Sequence, residues 1–198
     1  MMTWFNAIIL GMKLFVLLTL GITFPIELSR ICLNNSFNPV KFITDKAFHF
    51  YLMCLIAVVF FPLPTASQAV GLTYKVQLIP FFALYDIITN FSISAVCQVI
   101  FNIIMTVPFG MFLRYRFGFS ARKTVIATLI LSAFIEIAQL TGLFFIYKGS
   151  FRLCDVDDLM LNTLGGFIGS VIYSQINNRL PSLTSHVWSW KDGILVNA

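Results

Sequence analysis

Between Ile93 and Leu113 the chain runs for 21 residues without a charged side chain, and four further stretches of similar length are nearly as apolar. A helix needs roughly 20 such residues to cross the hydrocarbon core of a bilayer. Inside that core only a helix or a closed barrel satisfies its own backbone polar groups. The runs are too long and too evenly apolar for barrel strands. The expected fold is therefore all-α, a polytopic transmembrane helical bundle of about five spans plus one interfacial or re-entrant segment. Composition agrees: 59% of the 198 residues are hydrophobic and 11% charged, against about 25% charged in a soluble domain. The basic residues are scattered between the apolar runs, so membrane lipids are the expected partner and nucleic acid is not.

In order, the spans are expected at Thr3–Ile26 (closed by Pro25), Asp45–Leu63, Ile93–Leu113, Thr124–Tyr147 and Leu159–Ile176. Glu27–Lys46 reads as a linker because NNSFNP is rich in turn formers. Val76–Phe91 is short for a span and carries Pro80 and Asp86. Residues 1–44 thus form an N-terminal transmembrane helix and loop, 45–176 a helical membrane domain, and 177–198 a polar and aromatic tail. Trp188 and Trp190 in that tail suit an interfacial belt. The N-terminus has neither a basic leader nor a small-residue cleavage site, so the first span is expected to be retained. Cys32, Cys54, Cys97 and Cys154 show no paired spacing, so they read as small apolar fillers.

Orientation follows from the Lys and Arg residues outside the spans. With five crossings, nine fall on one side and three, Lys75, Lys148 and Arg152, on the other. Six crossings would regroup them as seven against five. The sharper bias favours five, with the N-terminus outside, the C-terminus inside and the acidic 148–158 loop outside.

Polar residues break the apolar pattern at a few places, and each costs free energy at membrane depth. Ser132, Glu136 and Gln139 are spaced four and three apart on one helix face, as are Asp155, Asp158 and Asn162 if the last helix begins at or before Asp155. Asn102 precedes VPFG, which reads as a helix break. Gly165 and Gly169 form a small-xxx-small pair that lets another helix approach. The candidate ligand-binding set is Asn102, Glu136, Gln139, Arg152, Asp155, Asp158 and Asn162. Glu136 is the candidate catalytic base, and Asp155, Asp157 and Asp158 are candidate ligands of a divalent cation. The plainer alternatives are that the acids charge the start of the last helix and that Asn102 and Gln139 join helices. HExxH, GxSxG, Walker and CxxC motifs are all absent.

The segments DKAFHFYLM (45–53), KVQLIPF (75–81), NIIMTVPFG (102–110), SAFIEIAQL (132–140) and RLCDVDDLMLNTLGGFIG (152–169) together resemble the VanZ-like membrane proteins. That family is named for a factor in resistance to the glycopeptide teicoplanin. Gln77 stands where the family usually shows Asn. The resemblance implies a multi-pass protein of the bacterial inner membrane, associated with lowered susceptibility to lipid-bearing glycopeptides. It supplies no settled reaction. Three readings follow: a protein binding a lipid-linked cell-wall precursor or lipoglycopeptide, an intramembrane metal-dependent enzyme acting on an envelope lipid, and an assembly factor.

Overall fold

Five helices meet the length and polarity a bilayer crossing demands: Ile9–Leu33, Pro39–Phe60, Ile93–Phe117, Ala121–Leu140 and Val156–Arg179. They belong to a computed structural model that describes residues 4–34, 36–64, 69, 71–183, 188–191 and 194–197. The protein is a helical membrane bundle, as its apolar runs require. The helices are α1 (Trp4–Leu18), α2 (Phe24–Asn34), α3 (Pro39–Phe60), α4 (Phe82–Asn90), α5 (Ile93–Phe117), α6 (Ala121–Leu140) and α7 (Val156–Ile176). Five short strands join them: β1 (Ser36–Phe37), β2 (Val76–Gln77), β3 (Cys154–Asp155), β4 (Trp188–Lys191) and β5 (Ile194–Asn197).

The chain divides into two units, one of Met1–Pro62 with Asn178–Ala198 and one of Leu63–Asn177. In the first unit α3 belongs with α1: at Gly11 an added Cβ would lie 3.0 Å from the Cα of Cys54. The first span does not close at Pro25. A π-helical turn, Thr19–Thr23, links α1 to α2, and its wider ladder accommodates a proline that lacks an N–H and crowds the preceding turn. The expected linker from Glu27 to Lys46 is mostly helix. Asn38 caps α3, its side chain accepting from the N–H of Lys41 at 2.9 Å, and Pro39 takes the first helical position, where its missing N–H costs nothing. The tail is not featureless either, since β1 pairs antiparallel with β4 and β4 with β5. The side chains of Trp188 and Trp190, expected in an interfacial belt, lie outside the described residues.

The second unit is built on α5, α6 and α7. Ser92 and Ser120 cap α5 and α6, accepting from the N–H groups of Ala95 and Lys123, as short hydroxyl side chains do at helix starts. Gly118, at φ +63°, ends α5, its N–H reaching the carbonyls of Arg114 and Leu113, a left-handed turn natural to glycine. No break appears at Pro108, and α5 continues through it. α6 stops at Leu140, short of the expected Tyr147, because Gly142, Leu143 and Phe144 all turn left-handed.

Glycines set the spacing between these helices. A Cβ on Gly165 would overlap the carbonyl of Ile103 and the hydroxyl of Thr106, and one on Gly169 the carbonyl of Val107. One on Gly166 would overlap the Thr128 side chain. Backbones this close gain dispersion contacts and bring small polar groups into reach, the usual basis of helix association in lipid. Residue numbers rise together along the α5–α7 contact, from Ile103 with Gly165 to Val107 with Gly169, so these helices are parallel. Against α6 they fall, from Ser132 with Asn162 to Thr128 with Gly166, so α6 is antiparallel.

This arrangement decides the ambiguous segment. β2 pairs parallel with β3, Gln77 opposite Asp155. Residues 76–77 therefore lie at the end of the unit where α7 begins, and α5 begins there too. The chain between them returns to the end it left. α4, nine residues long, spans only about 13 Å at 1.5 Å per residue and does not cross.

Candidate functional site

Every fourth residue of α5 from Gln98 to Arg114 is polar or glycine: Gln98, Asn102, Thr106, Gly110, Arg114. In α6 the series Thr124, Thr128, Ser132, Glu136 does the same, and all four are buried. Residues four apart share a helix face, and both stripes face α7. The result is a polar seam through an otherwise apolar three-helix core.

At the end where α5 and α7 begin, the seam holds carboxylates. Gln98 donates through Nε2 to Asp158 Oδ1 at 2.7 Å and to Asp155 Oδ2 at 3.2 Å. The Asn102 amide donates to the same Asp158 oxygen. Asp155 caps α7, its Oδ1 accepting from the N–H of Asp157 at 2.9 Å. Its own N–H donates to Glu136 Oε2 at 3.0 Å. Glu136 also receives the Cys154 thiol. Asp155 and Glu136 are 5% and 6% exposed, so three carboxylates from two helices converge on a largely water-free region.

Burial sets the titration of the groups outside the spans. Desolvation raises the Asp155 carboxyl above the usual carboxylate range, opposed by hydrogen bonds from the Asp157 N–H and Gln98. The Cys154 thiol is pushed up to about 11 by burial and then by the Glu136 charge, so it is not a thiolate nucleophile at neutral pH. Burial lowers the Arg152 guanidinium, with Asp158 acting the other way. Arg152 is half-buried near that carboxylate.

Deeper in the seam, Asn162 donates through Nδ2 to Ser132 Oγ at 2.9 Å, and its carbonyl accepts from Thr106 Oγ1 at 2.7 Å. Its side-chain oxygen is buried and has no hydrogen-bond partner. An unpaired buried acceptor costs on the order of 1–3 kcal/mol, so this atom stands ready for a donor. Gln139 is buried on α6, one turn beyond Glu136 toward the carboxylate end.

Asp157 departs from the expected cation set. Its Oδ1 accepts from the N–H of Phe81 at 2.6 Å and its Oδ2 from the N–H of Ala83 at 2.8 Å. It caps α4 instead, holding Phe81 at φ +63°. Each of its oxygens thus accepts a backbone N–H at the start of α4. Among the described residues no three His, Cys, Asp or Glu side chains are placed to hold a metal ion. His49 lies in the first unit, edge-on to the Phe15 ring. Gln77 closes a local turn, its amide bonded both ways to the backbone of Ile79.

Asn102, Glu136, Asp155, Asp158 and Asn162 thus come together, but not by face arithmetic alone: α7 begins at Val156, so Asp155 joins from its extended N-cap, and Asn102 enters from α5. Gln98, which bridges two of the acids, was missed, although its place four residues before Asn102 was a readable signal. Cys154, which its spacing reads as filler, touches Glu136. Ser150, also missed, ties the 73–75 strand entry to this end, accepting from the N–H of Lys75 at 2.8 Å and donating to the carbonyl of Thr73 at 3.0 Å.

A scan against protein-family models matches residues 48–177 to VanZ/LLP1. That match covers 130 of the 198 residues, including every residue of the seam. No curated protein and no solved structure gives a significant match.

Proposed function

Because the chain belongs to the VanZ/LLP1 family, we propose that it is a bacterial inner-membrane protein whose carboxylate cluster binds an amphiphile in the outer leaflet. The ligand class is a lipid-linked cell-wall precursor or a lipoglycopeptide, and binding lowers susceptibility to glycopeptides of the teicoplanin type. The observation that carries this reading is the convergence of Glu136, Asp155 and Asp158 at the start of α7, with the unpartnered Asn162 oxygen beneath them. Such a cluster is rich in acceptors and poor in donors. It suits the hydroxyl, amide N–H and ammonium groups of a sugar or peptide headgroup, while the apolar helices around it suit a lipid tail.

The charge bias supports the placement. Lys75, Lys148 and Arg152 flank the carboxylate end, and Arg114, Arg116, Arg122 and Lys123 cluster at the other, so the cluster faces outward. The test is susceptibility to teicoplanin in cells expressing the wild type, Glu136→Ala or Asp158→Ala at matched levels. Loss of protection with unchanged expression supports the site; full protection in both variants overturns it.

A second reading, a scaffold whose polar groups only lock helices, is favoured by how many of the seam's hydrogen bonds close internally, as Asn162 with Ser132 and Thr106 with Asn162 do. It predicts that the same variants lose folded protein in step with function.

A further inference from the structure

Helix α4 turns an apolar face away from the protein. Leu84 and Ile88, four residues apart and so on one face, are 52% and 65% exposed. Tyr85 beside them, and Phe81 and Phe91 at the two helix ends, are exposed as well. A second side, Ala83 with Ile87, carries the packing: Ala83 is buried and its N–H is held by Asp157. A third side, Asp86 with Asn90, is polar, and the Asn90 amide donates to Asp86 Oδ1 at 2.8 Å. We propose that α4 is an interfacial ledge on the flank of the second unit, its Leu84–Ile88 face lying in the acyl chains of the leaflet nearest the start of α7. Asp86 and Asn90 lie among the headgroups of that leaflet, whose phospholipid is the partner of this surface.

A short helix at the end of a bundle can lie over it as a cap or beside it as a ledge. A cap presents its outward side to water and carries polar residues there, as the surface helices of soluble proteins do. On α4 the outward side is apolar and the polar residues sit to one flank. Three different sides, one for protein, one for hydrocarbon and one for headgroups, are what a helix in the plane of the interface needs. Asp86 and Asn90 stand one turn apart on the same side, so that side keeps one depth along the helix, and the segment is interfacial and not re-entrant.

Continuity identifies what covers the apolar side. Phe91 closes α4 at φ +51° and Ser92 at once caps α5, so no linker separates the two helices. Phe91 and Ile93 are 84% and 79% exposed and carry the apolar surface across that turn to Val96, Ile100 and Ile104. Those residues form the exposed side of a helix long and apolar enough to cross a bilayer. Charge agrees. Asp86 is the one charged residue between Lys75 and Arg114, and its carboxylate is also hydrogen-bonded by Ser92. Tyr85, between the apolar and polar sides, has the amphipathic ring that favours a membrane boundary. The ledge borders the carboxylate cluster through Asp157 but does not depend on what that cluster binds.

The test is photolabelling of the wild-type protein in liposomes of phosphatidylcholine with a diazirine on its acyl chains, the labelled residues being mapped by mass spectrometry. Residues 84–91 are expected to be labelled as strongly as 100–104, and at least about tenfold more than Lys148, which lies in a polar loop outside the spans. Spin labels at Ile88→Cys and Asn90→Cys, in a chain lacking the native cysteines, then read the orientation. Oxygen, soluble in lipid, should collide more with the label at position 88, and a water-soluble nickel chelate more with the label at position 90. Labelling of 100–104 without 84–91 overturns the proposal. So does equal nickel exposure at positions 88 and 90, the signature of a cap in water. Shielding of position 88 from both reagents overturns it too, because the face is then covered by protein, a second copy of the chain included.

Discussion

Asp157 gives both carboxylate oxygens to backbone N–H groups at the start of α4, whereas Asp155, two residues earlier, caps α7 and meets Glu136 and Gln98. Alternation at a helix start sends neighbouring acids to different partners, and their chemistry diverges accordingly. Asp157→Ala leaves two N–H groups unpaired, each worth on the order of 1–3 kcal/mol where buried. The expected result is faster amide exchange across residues 81–90 and a stability loss of about 2 kcal/mol or more. Asp157→Asn, which keeps one acceptor, falls between. For Asp155 the raised folded pKa fixes the sign of a pH effect. The folded state holds the proton more tightly than the unfolded chain. Its contribution to stability is therefore full below the unfolded value of about 3.9 and is lost as pH rises through the raised folded value. Asp155→Asn preserves the cap but not the titration. The stability of the wild type relative to this variant should fall with rising pH across that window; a flat difference from acid to neutral pH would remove Asp155 as the source.

At the scale of elements, the close approach of α5 and α7 rests on glycines whose absent Cβ atoms leave room for a facing backbone. Gly165→Ala forces the helices apart or strains them, an overpacking cost of about 1–3 kcal/mol, visible as a lower unfolding midpoint in detergent. Gly21→Ala is the control, since a Cβ there meets nothing within 4 Å; it should be neutral or slightly stabilising. If Gly165→Ala is as harmless as the control, α5 and α7 are not packed as described. The elements themselves were largely legible, because a 3.6-residue repeat and span-length apolar runs leave few alternatives. Boundaries were less so. Pro25 looked like a stop because the π turn that absorbs it has no local signature. Pro108 looked like a break although the glycine-paired helix around it holds. The antiparallel pairing of β4 with β5 has no counterpart in the sequence reading of the tail.

For the molecule as a whole, five helices are long and apolar enough to cross a bilayer, and the parallel pairing of β2 with β3 keeps α4 at the end of the second unit where α5 and α7 begin. Combined with the basic-residue bias, this predicts which loops label from which side. In a background lacking the native cysteines, Lys75→Cys and Lys148→Cys should react with an impermeant maleimide on intact cells. Arg122→Cys should react only after permeabilisation. Labelling of positions 75 and 122 from the same side would overturn the crossing number.

What the amino-acid sequence determined by itself was the class of solvent and the class of fold. Transfer free energies over twenty-residue runs are large sums that no tertiary detail reverses. It also determined which residues share a helix face, since that is arithmetic on a fixed repeat. What only the tertiary structure decided was which faces meet. Gln98 becomes a bridge between two aspartates, and the Asp157 carboxylate turns to α4, because glycine-set helix spacing and a two-residue strand pair bring distant segments within hydrogen-bond reach. Those are differences of a few kcal/mol between alternative partners, and they are written in contacts between residues far apart in the chain.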